Sequence, residues 1–207
     1  MFKSMLRKAI KESQHVQRNW DLTKTIPQED IDIIAESITG APSKQNIQFF
    51  KPYFITNREK IERVHRQTSG FLIKDGNEGA KGNSLTTNPQ TLAQLLIVFA
   101  RDFDKEDAEK KTDISDVWEQ MDRDMHQAIG VAGGYANLTS SLLGYTTGFC
   151  GCINKDEVQR VLDIPHKPVF LLGVGIADDS KPRREHHLKA NLTFPAKIKN
   201  ISVEYIT

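Results

Sequence analysis

Four short segments carry residue types that could do chemistry. Residues 180–185, SKPRRE, crowd Lys181, Arg183 and Arg184 into one loop. A guanidinium is a planar fork of donors that matches phosphate oxygens, and lysine adds a point charge. Pro182 stiffens the loop and lowers the ordering cost of binding, although a solvated basic loop has the same composition. Residues 14–18, QHVQR, place Gln14, His15 and Arg18 together, suited to a dianionic phosphate or an electron-rich ring, or to polar punctuation between helices. Residues 40–48 break a helix at Gly40-Ala41-Pro42 and then offer Ser43, Gln45, Asn46 and Gln48 as hydrogen-bonding groups; a capped turn would use the same types. Residues 146–152, TTGFCGC, carry Gly148 and Gly151, which permit close backbone approach to a flat ligand.

Other chemistries lack their signatures. Cys150 and Cys152 are the two cysteines. They are one residue apart, which is poor geometry for bridging each other. No second Cys/His pair stands at ligand spacing, so no metal site is expected, and no C-x-x-C is present. A reducing, cytoplasmic setting fits best. No G-x-G-x-x-G opens a helix, because GVG at 173–175 ends a strand and lacks the third glycine. Walker A, H-E-x-x-H and G-x-S-x-G sequences are missing too. A formal net charge of +1 gives no case for nucleic acid or a membrane surface. The longest apolar run, Leu95 to Ala100, is too short to span a bilayer. Residues 1–13 lack a continuous apolar stretch and do not read as a secretory signal.

These segments must be positioned by regular elements, and 207 residues suggest one domain covering the whole chain, 1–207. Phe2, Met5, Leu6, Ala9 and Ile10 share one helical face over residues 2–12. A second helix is expected after Thr25 as cap, with Pro27 in its first turn, Ile31, Ile34, Ala35 and Ile38 inward, and Gly40 and Pro42 at its end. Residues 49–56 read as a strand interrupted by Pro52, and 57–68 as a helix with Ile61 and Val64 inward. Residues 69–91 read as a long loop, 92–100 as a buried strand, and 101–112 as a charged solvated segment. A long helix is expected over 113–144, with a second half rich in small residues that suits a core or subunit contact. TTGFCGC follows as a loop. Asn154 then caps a helix with Glu157 three residues on, and 168–177 is a buried strand. Ile201, Val203 and Tyr205 alternate with polar residues in a terminal strand.

In this order and spacing the segments resemble the nitroreductase family of flavin-mononucleotide (FMN) enzymes, over nearly the whole chain. QHVQRNWD, APSKQNIQFF, TNPQTLAQLLIVFA, LLGYTTGFCG and KPRR are the elements that carry the resemblance. It implies an α+β fold, a mixed central sheet flanked by helices, in an intertwined homodimer whose C-terminal strands are exchanged. It implies that Gln14, His15 and Arg18 lie along FMN, with Arg18 near the pyrimidine edge, where a cation eases reduction. Lys181 and Arg183 would clamp the phosphate. Phe149, Cys150 and Gly151 would pack on the ring, with the Gly151 N–H aimed at N5. Pro42, Ser43, Lys44 and Asn46 belong to the turn facing the FMN held mainly by the other subunit, and Asn88 would bond the ring edge. Arg18 and Gly151 are thus the implied catalytic positions. NADH or NADPH would donate electrons, and a nitroaromatic, quinone or flavin would accept them. A flavin-storage protein, or a flavin-modifying or dehalogenating member, is the alternative. The sequence departs from the family pattern at Gln14 and Val16, at Phe49-Phe50 in place of Pro-Trp, and at Phe149 and Gly151.

Overall fold

A computed structural model of the chain describes residues 2–69, 72–74, 77–80, 88–104, 117–180, 185–186, 189–193 and 201–206. Its elements in order are α1 (Phe2–Glu12), α2 (Gln28–Thr39), β1 (Phe50–Ile55), α3 (Arg58–His65), β2 (Leu72–Lys74), β3 (Asn77–Ala80), β4 (Leu95–Arg101), α4 (Val117–Leu142), β5 (Thr146–Cys150), α5 (Lys155–Leu162), β6 (Pro168–Gly175), β7 (Glu185–His186) and β8 (Lys189–Thr193). Four strands form the central sheet in the order β1-β4-β6-β5. Two hairpins, β2–β3 and β7–β8, pair separately.

The central strands explain the layering. β4, LLIVFAR, is buried on both faces, so its apolar run is continuous rather than alternating. Leu95, Ile97 and Phe99 join the core under α2 and α4, with Ile34, Met125 and Ala132. Leu96 and Val98 point the other way, into a second core with Ile61 and Val64 of α3 and Val158 and Leu162 of α5. The result is a helix–sheet–helix sandwich, the α+β fold expected. β1 is an edge strand, which is why Pro52 is tolerated within it. Its pairing with β4, like those of β4 with β6 and β6 with β5, is antiparallel. Among the described residues, the mixed character expected of the sheet is confined to a parallel bridge between Val16 and Thr147 at the β5 edge.

Two helices are capped by asparagine, the expected Asn154 and also Asn57. The Asn57 side chain accepts the Lys60 N–H at 2.9 Å, and Asn154 accepts the Glu157 N–H at 3.3 Å. The expected Thr25 cap does not form. Pro27 occupies the N-cap and α2 begins at Gln28 without a side-chain cap bond, its rigid φ setting the entry instead. Residues 69–91 are not wholly loop, since they contain β2–β3 and a 3-10 turn, Pro89–Leu92. That turn takes Leu92, so β4 starts at Leu95. TTGFC is strand rather than loop, because β6 offers it a partner edge. Within the described residues the long helix begins at Val117. Residues 201–206 form no strand within this chain, and Ile201, Val203 and Tyr205 lie exposed. No helix of the described residues is long and apolar enough to cross a membrane.

Candidate functional site

Glycines on β5 and β6 decide what can lie on that end of the sheet. Gly148 and Gly173 are register partners. A Cβ on Gly148 would sit 2.4 Å from the Gln90 Cβ and 3.0 Å from the Gln17 carbonyl oxygen; one on Gly173 would sit 2.0 Å from the Gln90 carbonyl oxygen. The absence of side chains therefore lets two irregular segments, 16–20 and 88–92, seat directly on the sheet. Gln17 is fully buried there. Its N–H donates to the Thr147 carbonyl at 2.7 Å. Its Oε1 accepts the N–H groups of Arg18 at 2.8 Å and Asn19 at 3.0 Å. Trp20 donates from Nε1 to the Pro89 carbonyl at 2.8 Å and ties the two segments together.

This seating brings three of the sequence-derived elements to one place. Arg18 is half-buried, and burial holds its guanidinium below the usual arginine range. The guanidinium donates to the Val16 carbonyl at 3.5 Å. Gln14 and His15 are exposed just before it. Asn88 donates from Nδ2 to the carbonyls of Ser69 at 3.2 Å and Cys152 at 3.5 Å, while its Oδ1 accepts from Gln90. Gln90 also donates to the Phe149 carbonyl at 3.3 Å. The Asn88 amide is thus partly occupied in fastening the loop beyond β5. Gly151 is exposed, and a Cβ there would approach Phe170 no closer than 3.6 Å.

The side chains of Phe149 and Cys150 point inward, on opposite faces of the sheet. The Phe149 ring stacks on Phe170 with centroids 5.2 Å apart and abuts Gly133 of α4. Cys150 is buried in the second core, and burial pushes its thiol up to about 11. From this stretch the surface presents backbone at Gly151 rather than those two side chains. Lys181 and Arg183 lie outside the described residues.

The Pro42–Asn46 turn is elsewhere. Lys44 pairs with Asp124 of α4, Nζ to Oδ2 2.7 Å. Asn137, thirteen residues further along α4, donates to the Ser13 carbonyl at 3.0 Å, so the turn and the start of the Gln14–Arg18 segment are about 20 Å apart along the helix. One chain does not bring them together. A cavity of about 530 Å³ opens at yet another place, between Arg101, Phe103, Trp118, His166 and Lys167, and includes none of the sequence-derived site residues.

Sequence reasoning missed Gln17, Gln90 and Asp124. Gln17 sits inside a polar run that reads as surface, and no local pattern marks it as buried. Gln90 was legible at most as part of the Asn-Pro-Gln element.

The sequence profile of the nitroreductase family matches residues 13–176. The chain belongs to the nitroreductase family. That places it among oxidoreductases. Solved structures with this fold include the NfrA1 nitroreductase from B. subtilis, 19% identical, covering 91% of this chain and 76% of that one, with a TM-score of 0.66. The NADPH:FMN oxidoreductase from Vibrio harveyi complexed with NAD+ is 15% identical, covering 96% and 80%, TM-score 0.65. An FMN-dependent nitroreductase from Clostridium difficile R20291 is 15% identical, covering 82% and 87%, TM-score 0.57. No curated protein sequence matches the chain. At these identities the structures establish the shared nitroreductase fold. The matched segment begins at Ser13 and ends at Ile176, so it contains Arg18, the Pro42–Asn46 turn, Asn88 and Gly151.

Proposed function

We propose that this nitroreductase-family protein is an FMN-dependent NAD(P)H oxidoreductase that works as a homodimer. The observation that carries the reading is the half-buried Arg18, carried by the segment whose Gln17 seats on β5 over Gly148, the strand that runs on to the exposed Gly151. The donor set fits the cofactor. A guanidinium, the exposed His15, an amide at Asn88 and an unobstructed backbone at Gly151 suit a flat, acceptor-rich ring that gains negative charge. FMN, when bound, supplies the redox chemistry by taking hydride from NADH or NADPH and passing it to an electron-poor acceptor.

The chain's own residues would bind, orient and polarise. Arg18, partly removed from water, acts more strongly on nearby negative charge than a solvated cation does. The Gln17 side chain fixes the Arg18 backbone, which lowers the cost of reorganisation during the reaction. Gly151, having no side chain, would let the ring lie close to its backbone, and the nicotinamide donor and then the acceptor would bind in turn, a ping-pong sequence. Lys181 and Arg183 would hold the phosphate.

Two features support the dimer. The Pro42–Asn46 turn is too far along α4 to reach Arg18 of its own chain. Large apolar side chains also stand uncovered: Phe2, Met5 and Ile10 of α1, Tyr135 of α4, and the terminal Ile201, Val203 and Tyr205. Such side chains are what a subunit interface covers.

Purified protein should be yellow with flavin absorbance. Rapid mixing with NADH and with NADPH should bleach it. Flavin that stays oxidised at millimolar nicotinamide would instead indicate a storage protein, and a modified flavin or dehalogenated product after turnover would indicate the specialised alternative.

A further inference from the structure

The turn that carries Lys44 is exposed yet fastened at several points. Ser43 Oγ donates to the Ile47 carbonyl at 2.7 Å. The Asn46 N–H donates to the Ser43 carbonyl at 3.1 Å, and the Ile47 N–H to the Lys44 carbonyl at 3.1 Å. Gln48 donates to Asp102 at the end of β4. Gln45 and Asn46 are both left-handed, with φ of 54° and 57°. Consecutive non-glycine residues in that region persist where the surroundings over-determine them, and they concentrate at ligand clamps and switches. The Lys44–Asp124 pair is the fastening that reaches α4. Its two members differ in exposure, 13% for the Asp124 side chain and 42% for Lys44. The carboxylate is therefore the anchored member, and the ammonium is the outward one. An ammonium has three donors, so a single bond to Asp124 leaves it able to bond further.

From this we infer that Asp124 is a positioning residue: it holds the Lys44 ammonium outward as a cation for the phosphate-bearing cofactor bound by a second copy of the chain. The inference rests on the flavin reading above. A fixed cation costs less to engage than a free lysine, whose flexible stem must be ordered on binding. Asp124 belongs to the binding of the cofactor and not to the redox step.

The test compares FMN dissociation constants and apo-protein thermal midpoints for wild type, Asp124→Asn, Lys44→Met and the exchanged pair Lys44→Asp with Asp124→Lys. Asp124→Asn and Lys44→Met should each weaken FMN about five- to tenfold, the scale of one charge-assisted contact. The exchanged pair restores an ion pair but moves the cation off the turn. Its thermal midpoint should return toward wild type while its FMN affinity stays weak. Recovery of both together would make the pair purely structural and overturn the inference, as would unchanged affinity in Asp124→Asn. If Asp124→Asn does not fold, unchanged affinity in Lys44→Met overturns it equally. Wild-type protein that binds no FMN overturns the flavin reading as well. Wild-type binding with unaltered variants overturns this inference alone.

Discussion

Gly148 of β5 and Gly173 of β6 face one another in register beneath Gln90, and neither position has room for a side chain. Gly173 is the tighter, because its obstacle is the Gln90 backbone carbonyl and a backbone cannot rotate aside. Gly173→Ala should lift the 88–92 turn off the sheet and cost about 2–3 kcal/mol of stability, the range of an overpacked core. Denaturant unfolding measures this. A loss within about 0.5 kcal/mol would mean the turn is not seated as described.

Arg18→Ala removes the partly desolvated cation of the segment seated on β5. Hydride transfer to the flavin should slow about tenfold or more, corresponding to roughly 1.4 kcal/mol of lost charge stabilisation. FMN affinity should fall less than the rate does. Stopped-flow reduction and flavin titration on the same preparation separate the two effects, and an unchanged reduction rate would remove Arg18 from its role.

Arg183→Ala bears on the phosphate. A fork of donors is lost, so FMN should leak from the protein on dialysis while the apo thermal midpoint stays near that of wild type. Equal retention in the two proteins would contradict the assignment.

Cys150 and Cys152 should behave differently despite their proximity. Cys150 is buried and Cys152 exposed, so alkylation of native protein followed by mass analysis should label Cys152 and spare Cys150. Burial raises the Cys150 thiol from its ordinary 9.0 to about 11. The unfolded chain ionises this thiol first. Its contribution to stability is intact below pH 9 and falls away between about pH 9 and 11, by an order of 2–3 kcal/mol in total. Cys150→Ala should show a shallower alkaline decline in that window. Tyr145, pushed up to about 12 by burial and by its bond to Asp30, adds loss at higher pH in both proteins. Identical pH profiles for wild type and Cys150→Ala would exclude the thiol as a contributor.

The terminal segment tests the assembly. Sedimentation should give twice the 23.4 kDa chain mass. Deleting residues 201–207 removes the exposed Ile201, Val203 and Tyr205 and should shift the protein toward monomer with loss of FMN. A truncated chain that stays dimeric would place the interface elsewhere.

Local pattern was sufficient for much of this protein. The run from Leu95 to Ala100, the inward Ile31, Ile34 and Ile38, and the cap Asn154 each follow from residues within a few positions of one another. The ordered set of short segments was likewise enough to reach the family, since each is a contiguous stretch. Other features needed the folded chain. TTGFC has glycines that read as loop, and it becomes a strand because β6 supplies an edge. Gln17 lies in a polar run, and it is buried because Gly148 leaves it room. The bonds from Trp20 to Pro89, from Lys44 to Asp124 and from Asn137 to Ser13 span 69, 80 and 124 residues. The sequence by itself determined which residue types were available for a phosphate, a flat ring and a hydride donor. The tertiary structure decided which of them meet in one chain, placing the Arg18 segment on β5 and the Lys44 turn about 20 Å along α4, because those separations depend on packing between distant segments.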